Sequence, residues 1–331
     1  MQYIPFGRTG LKVSQLCLGT MSMGSSAWKG WVLDEEASIP ILRRALDLGI
    51  TFFDMADWYS MGRNEEVVGR NLLKMSARER LVLATKVYYP MSDDPNDRGL
   101  SRKHIAASID RSLARMGTDY LDLYVIHAFD ADTPVEETMQ ALHDIVRAGK
   151  VRYLGASTMY AWQFANMNHV AAMHGWTPFV NMQCQYNLLY REEEREMLPY
   201  CRHQGVAVTT FSPLARGFLA RGTGTARTAH DLYQDFYGDD IDREIARRVG
   251  EVAARRGVST AHVAMAWVAG NANRSVPIVG AAKVAHLDVA VEALALQLDA
   301  EDRCFLEAPY RPRDEINDQN AVRRPRALHP G

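Results

Sequence analysis

The residues best suited to chemistry begin in the stretch TFFDMADWY, residues 51–59. A β-prone apolar run ends there in Asp54, and a phenol, Tyr59, follows five residues on. Two later apolar runs end in the same manner, at Thr85-Lys86 and at Ile126-His127. In proteins built of parallel strands and helices, ligands bind beyond the carboxyl ends of the strands. An acid, a phenol, an ammonium and an imidazole would therefore meet at one rim. That set suits reduction of a carbonyl by hydride, which needs a proton donor at the developing alkoxide. A phenol with an ordinary pKa of about 10 is a weak acid at neutral pH. A nearby ammonium favours the phenolate, a carboxylate holds the ammonium, and an imidazole orients the carbonyl or assists the proton. Each of the four alone also reads as a turn former, a packing ring, a solvated cation or a core histidine. Their recurrence at successive strand ends favours a shared site.

The elements that must position these residues alternate along the chain. Residues 2–6 and 11–14, around Gly7-Arg8-Thr9-Gly10, form a small hairpin. Strand patterns then fall at 15–18, 51–53, 81–85, 121–126, 151–155, 179–182, 206–211 and 275–279. Helix patterns follow at 34–48 (with Asp34 able to cap), 65–73, 101–116 capped by Ser101, 134–148, 161–174 and 192–203. Further helices fall at 242–256, 260–269, 283–294 and 300–306. A looser stretch at 217–240 reads as a long loop, of a length that is usually functional or mobile. Eight strand–helix units predict one α/β domain over 1–331, a closed (β/α)8 TIM barrel with an N-terminal hairpin and a tail at 312–331. An open doubly wound sheet is the alternative, but no Gly-x-Gly-x-x-Gly follows the first strand.

Composition narrows the function. The chain has 331 residues, 47% of them hydrophobic, enough for a large core. A formal net charge of −2 argues against a nucleic-acid surface, and the short basic run Arg323-Arg324-Pro325-Arg326 reads as a solvated end. The four cysteines, Cys17, Cys184, Cys201 and Cys304, lack metal-ligand or disulfide spacing and read as reduced thiols, with no metal implied. No signal pattern opens the chain, and no apolar run approaches the roughly 20 residues that span a bilayer. A cytoplasmic protein acting without nucleic acid or membrane is expected; oligomerisation is not readable. No H-E-x-x-H, P-loop or G-x-S-x-G motif is present.

These residues resemble the aldo-keto reductase family. FFDMADWYSMGRNEEVVG is similar to its Asp-to-Tyr signature, TKV to its lysine segment and DLYVIHAFD to its histidine segment. GKVRYLGAS, VNMQCQYNLLYREEE, FSPLARGFL and VPIVGAAKVAHLDVAVEAL resemble its later, cofactor-side segments. The likeness runs from about residue 3 to 311, and LYREEE and SPLARG are similar to the bacterial and fungal branch related to potassium-channel β subunits. The resemblance implies a barrel that binds extended NADPH/NADP+, with NADH possible, and reduces an aldehyde or ketone. Tyr59 would be the proton donor, Lys86 its partner, Asp54 the holder of Lys86, and His127 the orienter of the carbonyl. Thr20 and Met21 would lie near the nicotinamide ribose. Ser157, Thr158 and Gln183 would hold the carboxamide, and Phe211 would stack on the ring. Ser212, Pro213, Leu214, Arg216 and Gly217 would wrap the pyrophosphate with backbone N–H groups. Gly280, Ala282, Lys283 and His286 would lie at the adenosine end. Thr158, Ala282, Val289, Ala290 and Ala128 depart from the family's usual residues. On loops after strands, Met23, Trp28, Trp31, Trp58, Tyr88 and Phe129 are candidates for an aromatic mouth for a bulky carbonyl. Two other readings stand beside this one: a slow, cofactor-sensing subunit like the channel-associated relatives, and a dedicated biosynthetic ketoreductase.

Overall fold

The computed structural model describes residues 1–221 and 237–314. The middle of the expected 217–240 loop, most of the 312–331 tail and the basic run at Arg323 lie outside the described residues. Two short strands, β1 (Tyr3–Pro5) and β2 (Lys12–Ser14), pair antiparallel as the expected hairpin. Eight more strands follow: β3 (Cys17–Gly19), β4 (Phe52–Asp54), β5 (Val82–Val87), β6 (Leu121–Ile126), β7 (Val151–Ser157), β8 (Phe179–Gln185), β9 (Ala207–Phe211) and β10 (Val276–Gly280). They pair in parallel in chain order, and β10 closes on β3 with Gly280 opposite Gly19. The fold is thus the expected (β/α)8 barrel.

The helices form the outer ring: α1 (Glu35–Asp47), α2 (Arg63–Met75), α3 (Arg102–Met116), α4 (Val135–Arg147), α5 (Ala161–His174) and α6 (Met197–Gln204). After β9 come α7 (Phe218–Arg221), α8 (Asp240–Arg256) and α9 (Thr260–Ala269); after β10 come α10 (Val284–Ala293) and α11 (Ala300–Glu307). Ser101 caps α3 as expected, its hydroxyl accepting the His104 N–H at 3.2 Å. Asp34 differs. It precedes α1, but its carboxylate accepts the Ser26 N–H and hydroxyl instead of a helix N–H. The expected helix at 192–203 is split, with a 3-10 turn at Glu192–Glu194 before α6. Part of the 217–240 stretch is ordered helix, namely α7.

Alternation along each strand sorts side chains between two cores. Apolar residues on the outer face pack against the helices in one large cluster. Inward residues form a second cluster of Cys17, Phe52, Val82, Ala84, Leu123, Val125, Ala207, Val276 and Ile278, joined by Phe6 and Val13 of the hairpin. The hairpin therefore stoppers the amino-terminal end of the barrel, with the Phe6 ring edge-on to Phe52 at 5.6 Å. Gly7 makes this close approach possible: its φ is +59°, and a Cβ there would stand 2.6 Å from the Ala207 nitrogen and the Gly205 oxygen. Phe52→Ala should open a void in this sealed interior and cost about 3–5 kcal/mol, read as a lower urea midpoint with unchanged slope.

Candidate active site

Above the inner apolar layers, the next inward positions are polar. Asp54 ends β4, Lys86 lies two residues above Ala84 in β5, Ser157 ends β7, and Gln183 and Gln185 lie near the end of β8. Lys86 is wholly buried, as a charge is only when its donors are met. Its ammonium donates to Asp54 Oδ2 at 2.6 Å, to the Met55 carbonyl at 2.8 Å and to the Tyr59 hydroxyl at 3.4 Å. Burial pushes the ammonium's pKa down; the Asp54 carboxylate and the Tyr59 phenol outweigh it, and the net direction is up. Gln183 donates Nε2 to Asp54 Oδ1 at 3.0 Å, so both carboxylate oxygens are engaged.

A tight turn follows Tyr59. Ser60 and Met61 have φ of 50° and 51°, and Gly62 has φ of 89°. Left-handed backbone at two non-glycine residues in a row is costly and persists only where the surroundings enforce it. The His127 ring lies edge-on to Tyr59 at 5.7 Å. Burial, and then the Lys86 charge, push the His127 pKa well below the usual imidazole range, so the ring is neutral at ordinary pH. Its Nδ1 is buried with no hydrogen-bond partner among the described residues.

The mouth is aromatic. Trp28 packs edge-on against Trp58 at 5.2 Å, Trp58 lies 4.9 Å from Tyr89, and Tyr89 lies 4.8 Å from His127. Tyr88 flanks Tyr89 at 5.3 Å, and Phe129 faces the exposed Trp162 at 6.2 Å. The Lys29 ammonium sits over Trp28, Trp58 and Trp31 at 4.6, 5.4 and 5.9 Å. Phe129 is buried in the outer core, whereas Trp28, Trp31, Trp58 and Tyr88 are part-exposed on loops after strands. Met23 is not: it is fully buried in the outer core, because the loop after β3 folds inward there.

The other expected residues fall at the same end. The Thr20 hydroxyl donates to the Asp54 carbonyl at 2.8 Å, and Met21 beside it is half-buried. Ser157 and Thr158 share a hydroxyl contact at 3.1 Å, with Thr158 at φ 51°. Phe211 is half-buried at the end of β9. Ser212, Ala215 and Arg216 all have φ near +50°, within the run Ser212-Pro213-Leu214-Ala215-Arg216-Gly217. Among the described residues, six of the seven non-glycine residues with positive φ lie on loops after β4, β7 and β9, so backbone strain concentrates at this rim. Gly280, Ala282 and Lys283 are exposed where α10 begins, and His286 Nδ1 lies 3.4 Å from the Ala282 N–H. Ala290 is buried in the core and Val289 half-buried.

The sequence reading missed three supports. Tyr89 carries the ring contact between Trp58 and His127; only its place two residues past a strand end could have marked it. Asn64 of α2 donates to the Thr20 and Met23 carbonyls at 2.7 and 2.9 Å and so holds the loop after β3. Asn187 donates to the Ser212 carbonyl at 3.0 Å and fixes the strained turn after β9. No local pattern points to either asparagine, since both partners are distant in sequence.

Comparison with known proteins gives a consistent set of relatives. A family model described as "Aldo/keto reductase family" matches residues 15–307. The versiconal hemiacetal acetate reductase of Aspergillus parasiticus is 40% identical, covering 100% of this chain and 99% of that protein. The aldo-keto reductase AMT2 of Alternaria alternata is 42% identical over 93% of this chain and 91% of its own length. A putative aryl-alcohol dehydrogenase of Schizosaccharomyces pombe is 42% identical over 92% of this chain and 95% of its own length. Among the described residues, no helix is long and apolar enough to cross a membrane.

Proposed function

The chain belongs to the aldo/keto reductase family, and from that premise we propose that it is a cytoplasmic, single-domain, NADP(H)-dependent reductase of aldehyde or ketone carbonyls. The observation that carries the reading is the buried Lys86, shared between Asp54 and Tyr59 at the carboxyl rim of the barrel. The nicotinamide, when bound, supplies the hydride; the protein's part is to bind, orient and protonate.

Tyr59 is the proton donor. Its hydroxyl lies within reach of the Lys86 ammonium, and a fixed positive charge there favours the phenolate and makes the phenol a better acid. Asp54, itself anchored by Gln183, keeps Lys86 from swinging away. His127 is neutral, so it acts as a hydrogen-bonding group that orients the carbonyl oxygen toward Tyr59 and not as a charged acid. The aromatic rim of Trp28, Trp58 and Tyr89 suits a flat, π-rich substrate, in keeping with the aryl-alcohol dehydrogenase name of one relative.

The fit to a dinucleotide rests on the rim. The turn at Ser212–Gly217 combines left-handed residues of the kind that gather backbone N–H groups around anions. Ser157, Thr158, Gln183 and Phe211 would hold the nicotinamide, with Thr20 and Met21 near its ribose. Gly280, Ala282, Lys283 and His286 would meet the adenosine end, where the exposed Lys283 is suited to a 2′-phosphate. Lys283→Ala should weaken NADPH binding about tenfold, the scale of one charge-assisted contact, and leave NADH binding unchanged. Fluorescence titration with both nucleotides checks this. Turnover of NADPH against benzaldehydes, aliphatic aldehydes and ketones tests the reading as a whole. Tight nucleotide binding with no turnover on any carbonyl would overturn it in favour of a sensing subunit.

A further inference from the structure

One buried acid has no part in the chemistry above. Asp57, between Asp54 and Tyr59, is fully buried. Its Oδ1 accepts the Trp58 N–H at 2.6 Å, and its Oδ2 accepts the Ser108 hydroxyl of α3 at 2.8 Å. Its own N–H donates to the Lys86 carbonyl at 3.3 Å. Residues 57–59 therefore part in three directions: Asp57 to α3, Trp58 to the aromatic rim and Tyr59 to Lys86. The strained residues Ser60, Met61 and Gly62 follow at once. The far side of that turn is held by the same cluster. The Arg115 side chain presses on Gly62, where a Cβ would stand 2.5 Å from its Nε, and its guanidinium donates to Glu65 at 2.8 Å. Glu65 also accepts the Thr85 hydroxyl at 2.6 Å.

We propose that Asp57 is the positioning residue of Tyr59: bridging the Trp58 N–H and Ser108 of α3, it holds the Tyr59 turn in working geometry, and it does so in its neutral form, in which Oδ2 donates its proton to the Ser108 oxygen in place of accepting from it. The inference rests on the reductase reading for its kinetic arm. The charged and titratable groups around Asp57 are few. Glu65 on α2 opposes its ionisation and Arg115 on α3 favours it, while the buried Tyr124 of β6 feels the charge of Asp57, then of Glu65 and then of Arg111 on α3. Burial, and then Glu65, push the Asp57 carboxyl up to about 7. An acid with a raised folded pKa adds stability in full below the unfolded carboxylate value of about 4, and that stability is lost as pH rises through the folded value. Ionisation near neutrality places a second carboxylate beside Glu65 and loosens the turn that carries Tyr59.

The test compares wild type, Asp57→Asn and Asp57→Ala between pH 5.5 and 9, following kcat, KM and the thermal midpoint. Asparagine keeps an acceptor for the Trp58 N–H and cannot ionise. Wild type should lose kcat severalfold, and about 3 °C of thermal midpoint, as pH rises through about 7. Asp57→Asn should lose both dependences and keep the low-pH kcat. Asp57→Ala should fall about 10–100-fold in kcat at every pH, with nucleotide binding unchanged. An Asp57→Asn profile that still falls near pH 7, or a full kcat in Asp57→Ala, overturns the proposal. The thermal midpoint needs no substrate. If wild type reduces no carbonyl, the reductase reading fails while the midpoint still decides the state of Asp57: a drop near pH 7 absent from Asp57→Asn supports the buried neutral acid, and identical curves overturn it.

Discussion

Replacement of Tyr59 by phenylalanine should lower kcat by roughly 10²–10⁴, the usual scale of general acid help, while NADPH affinity holds. The substitution removes one oxygen and keeps the ring that packs against His127. Lys86 retains the Asp54 carboxylate and the Met55 carbonyl, so the buried ammonium is not stranded and the thermal midpoint should stay near that of wild type. Loss in kcat without loss in binding separates a proton donor from a ring that merely fills space. A Tyr59→Phe enzyme with near-normal turnover would remove Tyr59 from the mechanism.

The second large effect concerns Lys86. Lys86→Met keeps the unbranched apolar stem without the ammonium but leaves Asp54 buried, with Gln183 as its side-chain donor. Stranding one member of a buried pair costs about 3–5 kcal/mol. The variant should therefore fail twice, in stability and, by about 10² or more, in kcat. Adding Asp54→Asn to Lys86→Met removes the stranded charge. Urea unfolding should then recover most of the lost stability, and kcat should stay low. Recovery of both together would mean that Lys86 serves the fold alone.

The barrel was legible because alternation on short strands, turn residues and helix starts agree over the whole chain, and each local choice points the same way. Asp54, Lys86 and His127 were legible for the same reason: a strand end is readable, and polar types there break the pattern. What the sequence hid is tertiary. Asp34 has the chemistry of a helix cap, yet Ser26, eight residues back, takes its carboxylate. Met23 was placed at the mouth because it follows a strand, but loops have no periodicity to say which way a side chain turns. Tyr88 and Tyr89 are neighbours of one type, and only the folded strand end decides that Tyr89 is the ring against His127. Ala290 was read as a departure from the family's usual residue and is buried in the core, a facing that depends on what the helix packs against.

The hairpin stopper has a consequence for traffic. With Phe6 and Val13 filling the amino-terminal end, the described barrel has a floor beneath Asp54 and Lys86. Among the described residues, the proposed carbonyl, alcohol and solvent would then share one doorway at the opposite end, framed by Trp28, Trp58 and Tyr89. In the proposed reaction each turnover would leave Tyr59 short of a proton, and the neighbours behind it, Lys86 and Asp54, are buried. On that proposal Tyr59 would be recharged from the doorway side, so that the departing alcohol and the returning proton would take turns at one threshold.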